Sequence, residues 1–268
     1  RNIYDLEYKV FSQNGEDGII DYLLHSLKIS KPKFIEIGVG DYKECNSRFF
    51  FERTSSKGLI IDNRKNFKEK VKKNVKLWRG DLTIVEKTIN TKNIIKILKD
   101  HNFYNDIDFF SLDIDGIDYW VLEKLPKNLS KIFVLEFNSN FGGNKEITIP
   151  NIDNFNRTKY HYSNLCFGAS LKALIKLMKK KNYVFLGTDL RSINAFFVQK
   201  KYLKKINLKI PNSKSINRFS LSNIRESRDK KNNLSYLSGD EKINAIRNCK
   251  VVDLSSSKKK IVKLSKLI

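Results

Sequence analysis

Four short stretches place acids where an α/β chain gathers a ligand. Phe34 to Asp41 reads FIEIGVGD, an apolar run followed by Glu36, Gly38 and Gly40. Without a Cβ, the two glycines let the backbone turn sharply and let a ligand lie against it. Glu36 stands two residues ahead of Gly38, so its carboxylate can reach whatever fills the turn. A dinucleotide site would need a third glycine where Lys43 stands. An acid before the glycines also suits an ammonium-bearing ligand better than a pyrophosphate. A plain glycine turn in any α/β fold is the competing reading.

The second stretch, GLIIDN from Gly58 to Asn63, ends in Asp62. An acid about twenty residues after the glycines can accept from both hydroxyls of a ribose, or it can cap a helix. Asp81, just past Gly80, can reach an adenine amino group or cap the next helix. The third stretch, DIDFFSLDIDGIDYWVL from Asp106 to Leu122, sets Asp113 and Asp115 on one face of a strand end. Such close acids repel, so they bind a cation, share a proton or splay into solvent. Asp118 reads as a helix cap. The fourth, KIFVLEF, carries Glu136 at the end of the next strand. Asp113, Asp115 and Glu136 together offer the oxygen ligands of a hard cation, Mg²⁺ or Mn²⁺.

These acids need strands and helices to hold them. Ser12 to Leu27 predicts an amphipathic helix, with Ile20, Leu23, Leu24 and Leu27 on one face. Gln13, Glu16 or Asp17 at its start touches a ligand, or the two acids merely favour the helix N-terminus. His25 reads as structural. Strands are expected at the FIEI run, at 58–63, 75–78, 109–113 and 131–137, with helices at 45–52, 64–76, 84–98 and from Asp118 to before Pro126. The 138–167 stretch has no clear periodicity but carries Phe141, Phe155, Tyr160 and Tyr162, and reads as a lid over an acceptor pocket. His161 lies in it, as a general base or as a surface histidine. A helix at 168–181 and a hairpin-like pair at 183–187 and 194–199 finish the sheet.

The chain has 268 residues, 40% hydrophobic with eighteen Phe, enough for one large domain with an appendage. Its net charge of +23 comes mostly from Lys. Nucleic-acid surfaces lean on Arg, so the charge points only weakly to that partner. Cys45, Cys166 and Cys249 are odd in number and far apart in the chain, which argues for a reducing compartment and against a disulfide framework. No apolar run is long enough for a membrane span, and RNIYDLEYKVF has no signal-peptide core; a cytoplasmic protein is expected. From Lys200 the composition turns basic and Ser/Asn-rich, so 1–200 reads as the main domain and 201–268 as an extension that wraps the domain, pairs two copies or meets an acidic acceptor.

The run LDIDGIDYWVL, Leu112 to Leu122, resembles the I-D-V-E-G-x-E-x-x-V-L signature of FkbM-type methyltransferases that use S-adenosylmethionine (SAM). Each acid is kept or exchanged for the other kind. SQNGED, EIGVGD followed by Asn46-Ser47, and VLEFN are similar too and lie in the family's order, over roughly Phe11 to Val198. Two departures bear on the substrate: Leu112 stands where the family usually has a basic residue, and Asp62 where it more often has Glu. The resemblance implies a Rossmann-like class I methyltransferase fold, α/β, with a seven-stranded mostly parallel sheet and helices on both faces. It also implies O-methylation of a sugar, glycan or related hydroxylated molecule. SAM would lie on Glu36, Gly38, Gly40 and Asp62, with Asn46, Asn63, Gln13 and Glu16 nearby and Asp81 at the adenine. Asp113, Glu136 and His161 are the catalytic candidates. The rival is a binding module, or an RNA methyltransferase, that uses the basic surface; the N-P-P-Y-like motif of nucleic-acid methyltransferases is missing from 112–116.

Overall fold

The computed structural model describes residues 1–212 and 226–268. Five strands alternate with helices: β1 Lys33–Ile37, β2 Lys57–Asp62, β3 Asp81–Glu86, β4 Ile107–Leu112 and β5 Ser130–Glu136. Between and around them lie α1 Glu16–Ser26, α2 Arg48–Thr54, α3 Phe67–Asn74, α4 Ile94–Asp100 and α5 Asp118–Lys124. After the two-residue β6, Ile147–Thr148, come α6 Arg157–Tyr160, α7 Leu171–Lys180, β7 Tyr183–Thr188 and β8 Asn194–Gln199. The chain closes with α8 Gly239–Ile246, β9 Lys250–Asp253 and β10 Lys260–Lys263.

The main sheet has seven strands in the order β3-β2-β1-β4-β5-β8-β7. β1 to β5 run parallel, and β8 enters antiparallel between β5 and β7. Strand order reverses between β1 and β4, and such a switch point opens a crevice at the carboxyl ends of the strands. The strand sequences are apolar on both sides because both faces are covered. Ile35, Ile37, Phe110, Leu112 and Phe133 join one buried cluster. Their alternates Phe34, Ile60, Phe109, Ile132 and Val134 join another on the opposite face. Each such side chain contributes about 1.5–3 kcal/mol on burial.

The third strand lies six residues later than its expected start at Val75. Leu77–Arg79 forms a 3-10 turn, and Asp81–Glu86 pairs with β2 instead. Its DLTIVE sequence is only partly buried along its length, as an edge strand is, whereas the VKLW segment at 75–78 is interrupted by Lys76 and turns at Leu77. The helix expected over 84–98 therefore shortens to α4. The first helix starts at Glu16 rather than Ser12, because the Asp17 carboxylate accepts the N–H groups of Val10, Phe11 and Ser12 and holds them in a loop. A second sheet, β10-β9-β6, joins the C-terminal extension to the 138–167 segment. Ile246, Val251, Val252 and Leu264 are buried in the same cluster as Phe110 and Phe133. Among the described residues, no helix is long and apolar enough to cross a membrane.

Candidate active site at the strand ends

The carboxyl end of β1 is locked to those of β2 and β4 by backbone. Gly38 N–H donates to the Ile61 carbonyl at 2.9 Å, and Asp113 N–H donates to the Ile37 carbonyl at 3.0 Å. Gly38 has φ +87°, and a Cβ there would sit 1.5 Å from the Asp113 carbonyl oxygen. No side chain fits, so the glycine is what lets β4 deliver Asp113 to the crevice. Next along, Gly40 N–H donates to Asp62 Oδ2 at 2.8 Å, while Asp62 Oδ1 accepts the Arg64 N–H at 2.9 Å.

Two cavities open here. The first, about 240 Å³, is lined by Gly38, Asp62, Asn63 and Arg64, and by Lys87 to Ile89 from the end of β3. Asn154 and Phe155 of the lid segment close it, and Phe155 packs on Gly116. The second, about 310 Å³, is lined by Gln13, Glu136, Asn138 to Asn140, Arg157, Ser192 and Glu226. Asp113 and Asp115 line both. Oxygens of Asp113, Asp115 and Glu136 all lie within 4.8 Å of one another.

So tight a cluster resists ionisation. Burial, then the charge of Asp115, pushes Asp113 up to about 8. Burial, then Asp113, drives Glu136 well above the carboxylate range. Asp115 is the exposed member, with φ +52°, and the Arg157 guanidinium of α6 pairs with it. Arg157 in turn stacks on Phe167, 4.5 Å from the ring centre. Asp118 accepts the N–H groups of Ile114 and Gly116, both at 2.9 Å, and so shapes the turn that carries Asp115.

Other expected residues lie outside these cavities. Glu36 is buried and accepts the N–H groups of Asn46 and Ser47 at 2.7 and 2.8 Å, bracing the approach to α2. Asn46 spends its amide on Ser111 Oγ at 3.0 Å. Glu16 is fully buried against the N–H groups of Asn14 and Gly15 and the Asn194 amide. Asp81 starts β3, at the opposite end of the sheet from the crevice, and pairs with Lys57 at 2.8 Å. It moved there because the strand begins at Asp81 rather than ending before it. His161 caps α6 and hydrogen-bonds Ser163 Oγ at 2.7 Å, lining neither cavity.

A family model, the methyltransferase FkbM domain, matches residues 8–185. The chain belongs to the FkbM methyltransferase family. It is therefore a SAM-dependent methyltransferase, and its sheet has the class I arrangement. No curated protein matches it. Among solved structures it is similar to a S-adenosylmethionine-dependent methyltransferase from Clostridium acetobutylicum (9% identity, TM-score 0.42, covering 68% of this chain and 89% of that one). It is also similar to PKMT2 from Rickettsia typhi in complex with AdoHcy (13%, 0.45, 76% and 56%) and to an O-methyltransferase family protein from Burkholderia thailandensis (11%, 0.40, 69% and 59%). This FkbM chain thus spans little more than half of the Rickettsia and Burkholderia chains.

The first cavity of the FkbM domain suits SAM by its donor set. Asp62 uses one lone pair of each oxygen on backbone N–H groups and keeps the others for ribose hydroxyls. Phe155 and Ile89 offer flat and apolar walls. Lys87 to Ile89, Asn154 and Arg157 escaped sequence reading, and Phe155, read as part of a lid over an acceptor pocket, lines the first cavity instead. A correct β3 register would have flagged Lys87 to Ile89.

Two buried acids outside the cluster make the fold sensitive to pH. Burial raises Glu36 and Asp189 to about 7 each. Asp189 accepts the N–H groups of Ile193 and Asn194 and so shapes the Ser192–Ile193 wall. Both acids bind protons more tightly folded than unfolded, so stability falls as pH rises from the unfolded carboxylate range through about 7. We expect a lower melting temperature at pH 8 than at pH 6, with Asp189→Asn removing part of the fall; scanning calorimetry across that range checks it.

Proposed function

We propose that the enzyme methylates a hydroxyl of a sugar, glycan or related small hydroxylated metabolite. The observation that carries this reading is the position of Asp113 and Asp115 on the boundary between the two cavities. The second cavity is walled by amides, hydroxyls and carboxylates, among them Gln13, Asn138, Asn140, Ser139 and Glu226. Such a lining supports an acceptor rich in hydroxyls, because every buried polar group needs a partner.

SAM, when bound, supplies an electrophilic methyl group on a sulfonium. Asp62 and Asn63 would hold its ribose, and the Gly38–Gly40 turn would lie against its amino-acid end. An aliphatic hydroxyl is a poor nucleophile at neutral pH, so much of the acceleration comes from holding it in line. Asp113 takes the hydroxyl proton as the acceptor oxygen gains the methyl group; base assistance of this kind is worth about 10²–10⁴-fold. Glu136, with a carboxylate oxygen within 4.8 Å of one of Asp113's, would keep Asp113 oriented. Asp113, Asp115 and Glu136 also have the oxygen chemistry to hold Mg²⁺ or Mn²⁺, which would supply Lewis acidity to an acceptor oxygen. Arg157 supplies the counter-charge to Asp115 in the structure as described.

The deciding experiment incubates the protein with methyl-labelled SAM and a panel of sugars, nucleotide sugars and glycans, with Mg²⁺ or with chelator. Label in a sugar hydroxyl is the expected result; label in RNA alone overturns it. Full turnover in chelator would remove the cation. For the donor side, Asp62→Ala is expected to weaken SAM binding roughly 10–100-fold, the worth of hydrogen bonds to a charged group. Calorimetric titration with SAM measures it.

A further inference from the structure

A cavity of about 500 Å³ opens at the other end of the sheet from the crevice, lined by Asn128, Asn182, Lys200, Lys201 and Lys204. Asn128 precedes β5, Asn182 precedes β7, and the three lysines belong to the 3-10 turn Lys200–Lys205 that follows β8. β8 runs antiparallel between β5 and β7, so its end meets the starts of both neighbours. Hydrogen bonds fix the junction. The Gln199 amide donates to the Asn128 carbonyl at 3.0 Å, and Lys200 N–H donates to the Asn182 carbonyl at 2.8 Å. The cavity is thus built on the sheet rather than on a free loop. β5 is seven residues long, which sets the cavity roughly 20 Å from Glu136 at the strand's far end.

We propose that this cavity binds a phosphate group, as a monoester or a diphosphate, at a site separate from the methyl-transfer crevice. Three lysines line it and no acid does. Among the described residues, Lys200, Lys201 and Lys204 form no ion pair. The sequence supplies no acid nearby either: from Leu190 to Arg225 there is no Asp or Glu. The rim has the same sign, because Lys127, Lys179 and Lys180, next to the two asparagines in the chain, are exposed. Like charges gathered round one cavity raise each other's energy, and an entering anion turns that repulsion into attraction.

The donor set selects the kind of anion. A lysine ammonium is a compact charge with three donors, suited to an oxyanion with several acceptors, and the asparagine amides add neutral donors. A phosphate monoester carries about −1.5 to −2 at pH 7, so it balances three lysines better than a single carboxylate does. Lys201 is partly ordered in advance, since its ammonium lies 4.9 Å from the centre of the Tyr202 ring. Duplex nucleic acid fits less well: base and phosphate readout leans on Arg, and residues 192–212 contain none. The phosphate has two possible sources, a free phosphorylated molecule or the headgroup of a membrane lipid.

The inference does not depend on which acceptor the enzyme uses. The test titrates the full-length protein with inorganic pyrophosphate in a calorimeter, with S-adenosylhomocysteine present to occupy the SAM site. One binding site is expected. The triple variant Lys200→Gln, Lys201→Gln and Lys204→Gln should weaken it by at least about 10-fold, the worth of hydrogen bonds to a charged group. Lys68→Gln, Lys70→Gln and Lys73→Gln on α3 removes as many exposed charges and should bind as wild type does. Amine labelling read by mass spectrometry gives a second measure on the unaltered protein: pyrophosphate should shield Lys200, Lys201 and Lys204 but not the α3 lysines. Flotation with vesicles containing phosphatidate separates the two sources. Flotation that the cavity variant loses and the α3 variant keeps assigns the phosphate to a lipid headgroup; pyrophosphate binding without flotation assigns it to a free molecule. Absence of both binding and shielding, or equal losses in the two triple variants, would overturn the site and leave only the general charge of +23.

Discussion

Asp113→Asn should cut methyl transfer by about 10²–10⁴-fold, the range of a lost general base, while the protein becomes more stable rather than less. The two effects have one cause. Asp113 is forced against Asp115 and Glu136 in a buried crevice, and its ionised form is disfavoured there. A neutral amide of the same shape removes that repulsion but cannot take a proton. The apo variant should therefore melt above wild type near pH 8, where wild-type Asp113 begins to ionise, and the two should converge toward pH 6. SAM affinity should change little, because Asp113 fixes the β1–β4 junction through its backbone N–H and carbonyl, which the substitution keeps. Turnover and melting curves measured on one preparation check both arms. A variant that loses stability together with activity would mean that Asp113 is a structural acid.

Gly38→Ala is expected to be the most damaging small substitution in the chain. Its Cβ would lie 1.5 Å from the Asp113 carbonyl oxygen, a backbone atom that cannot rotate away, and its φ of +87° is strained for any L side chain. Relief requires β1 and β4 to part, which breaks the bond from Asp113 to Ile37. The cost should exceed about 4 kcal/mol, beyond the usual range of single substitutions. Soluble yield and denaturant titration measure it. Gly40→Ala is the matched control. At φ +63° its Cβ would meet only the Arg64 guanidinium, at 3.1 Å, and that flexible end can move. It should fold, at a cost of about 1–2 kcal/mol for the left-handed conformation. Equal damage at both positions would show that strain at positive φ, and not the β1–β4 contact, explains the effect at Gly38.

How much of this was legible beforehand differs from element to element. Strands β1, β2, β4 and β5 were readable because their burial on both faces writes a continuous apolar run into the sequence. β3 was not: an edge strand half-covered by its neighbours keeps Asp, Thr and Glu, and the nearby VKLW segment stood in for it. Glu36 and Glu16 show a different failure. An acid beside a glycine turn or a helix start can serve a ligand or satisfy backbone N–H groups, and the linear pattern is the same for both.

What local order alone determined is the strands β1, β2, β4 and β5 and the arrival of Asp62, Asp113 and Glu136 at strand ends, since strand period and glycine turns act over a few residues. The tertiary structure decided everything that needs two distant segments to touch. It set Phe155 and Arg157 of the lid against the β4 turn and carried Asp81 to the far end of the sheet. Those meetings depend on how layers pack and where the extension returns through β9. Packing is settled by shape and burial over the whole chain, so no short window of residues records it.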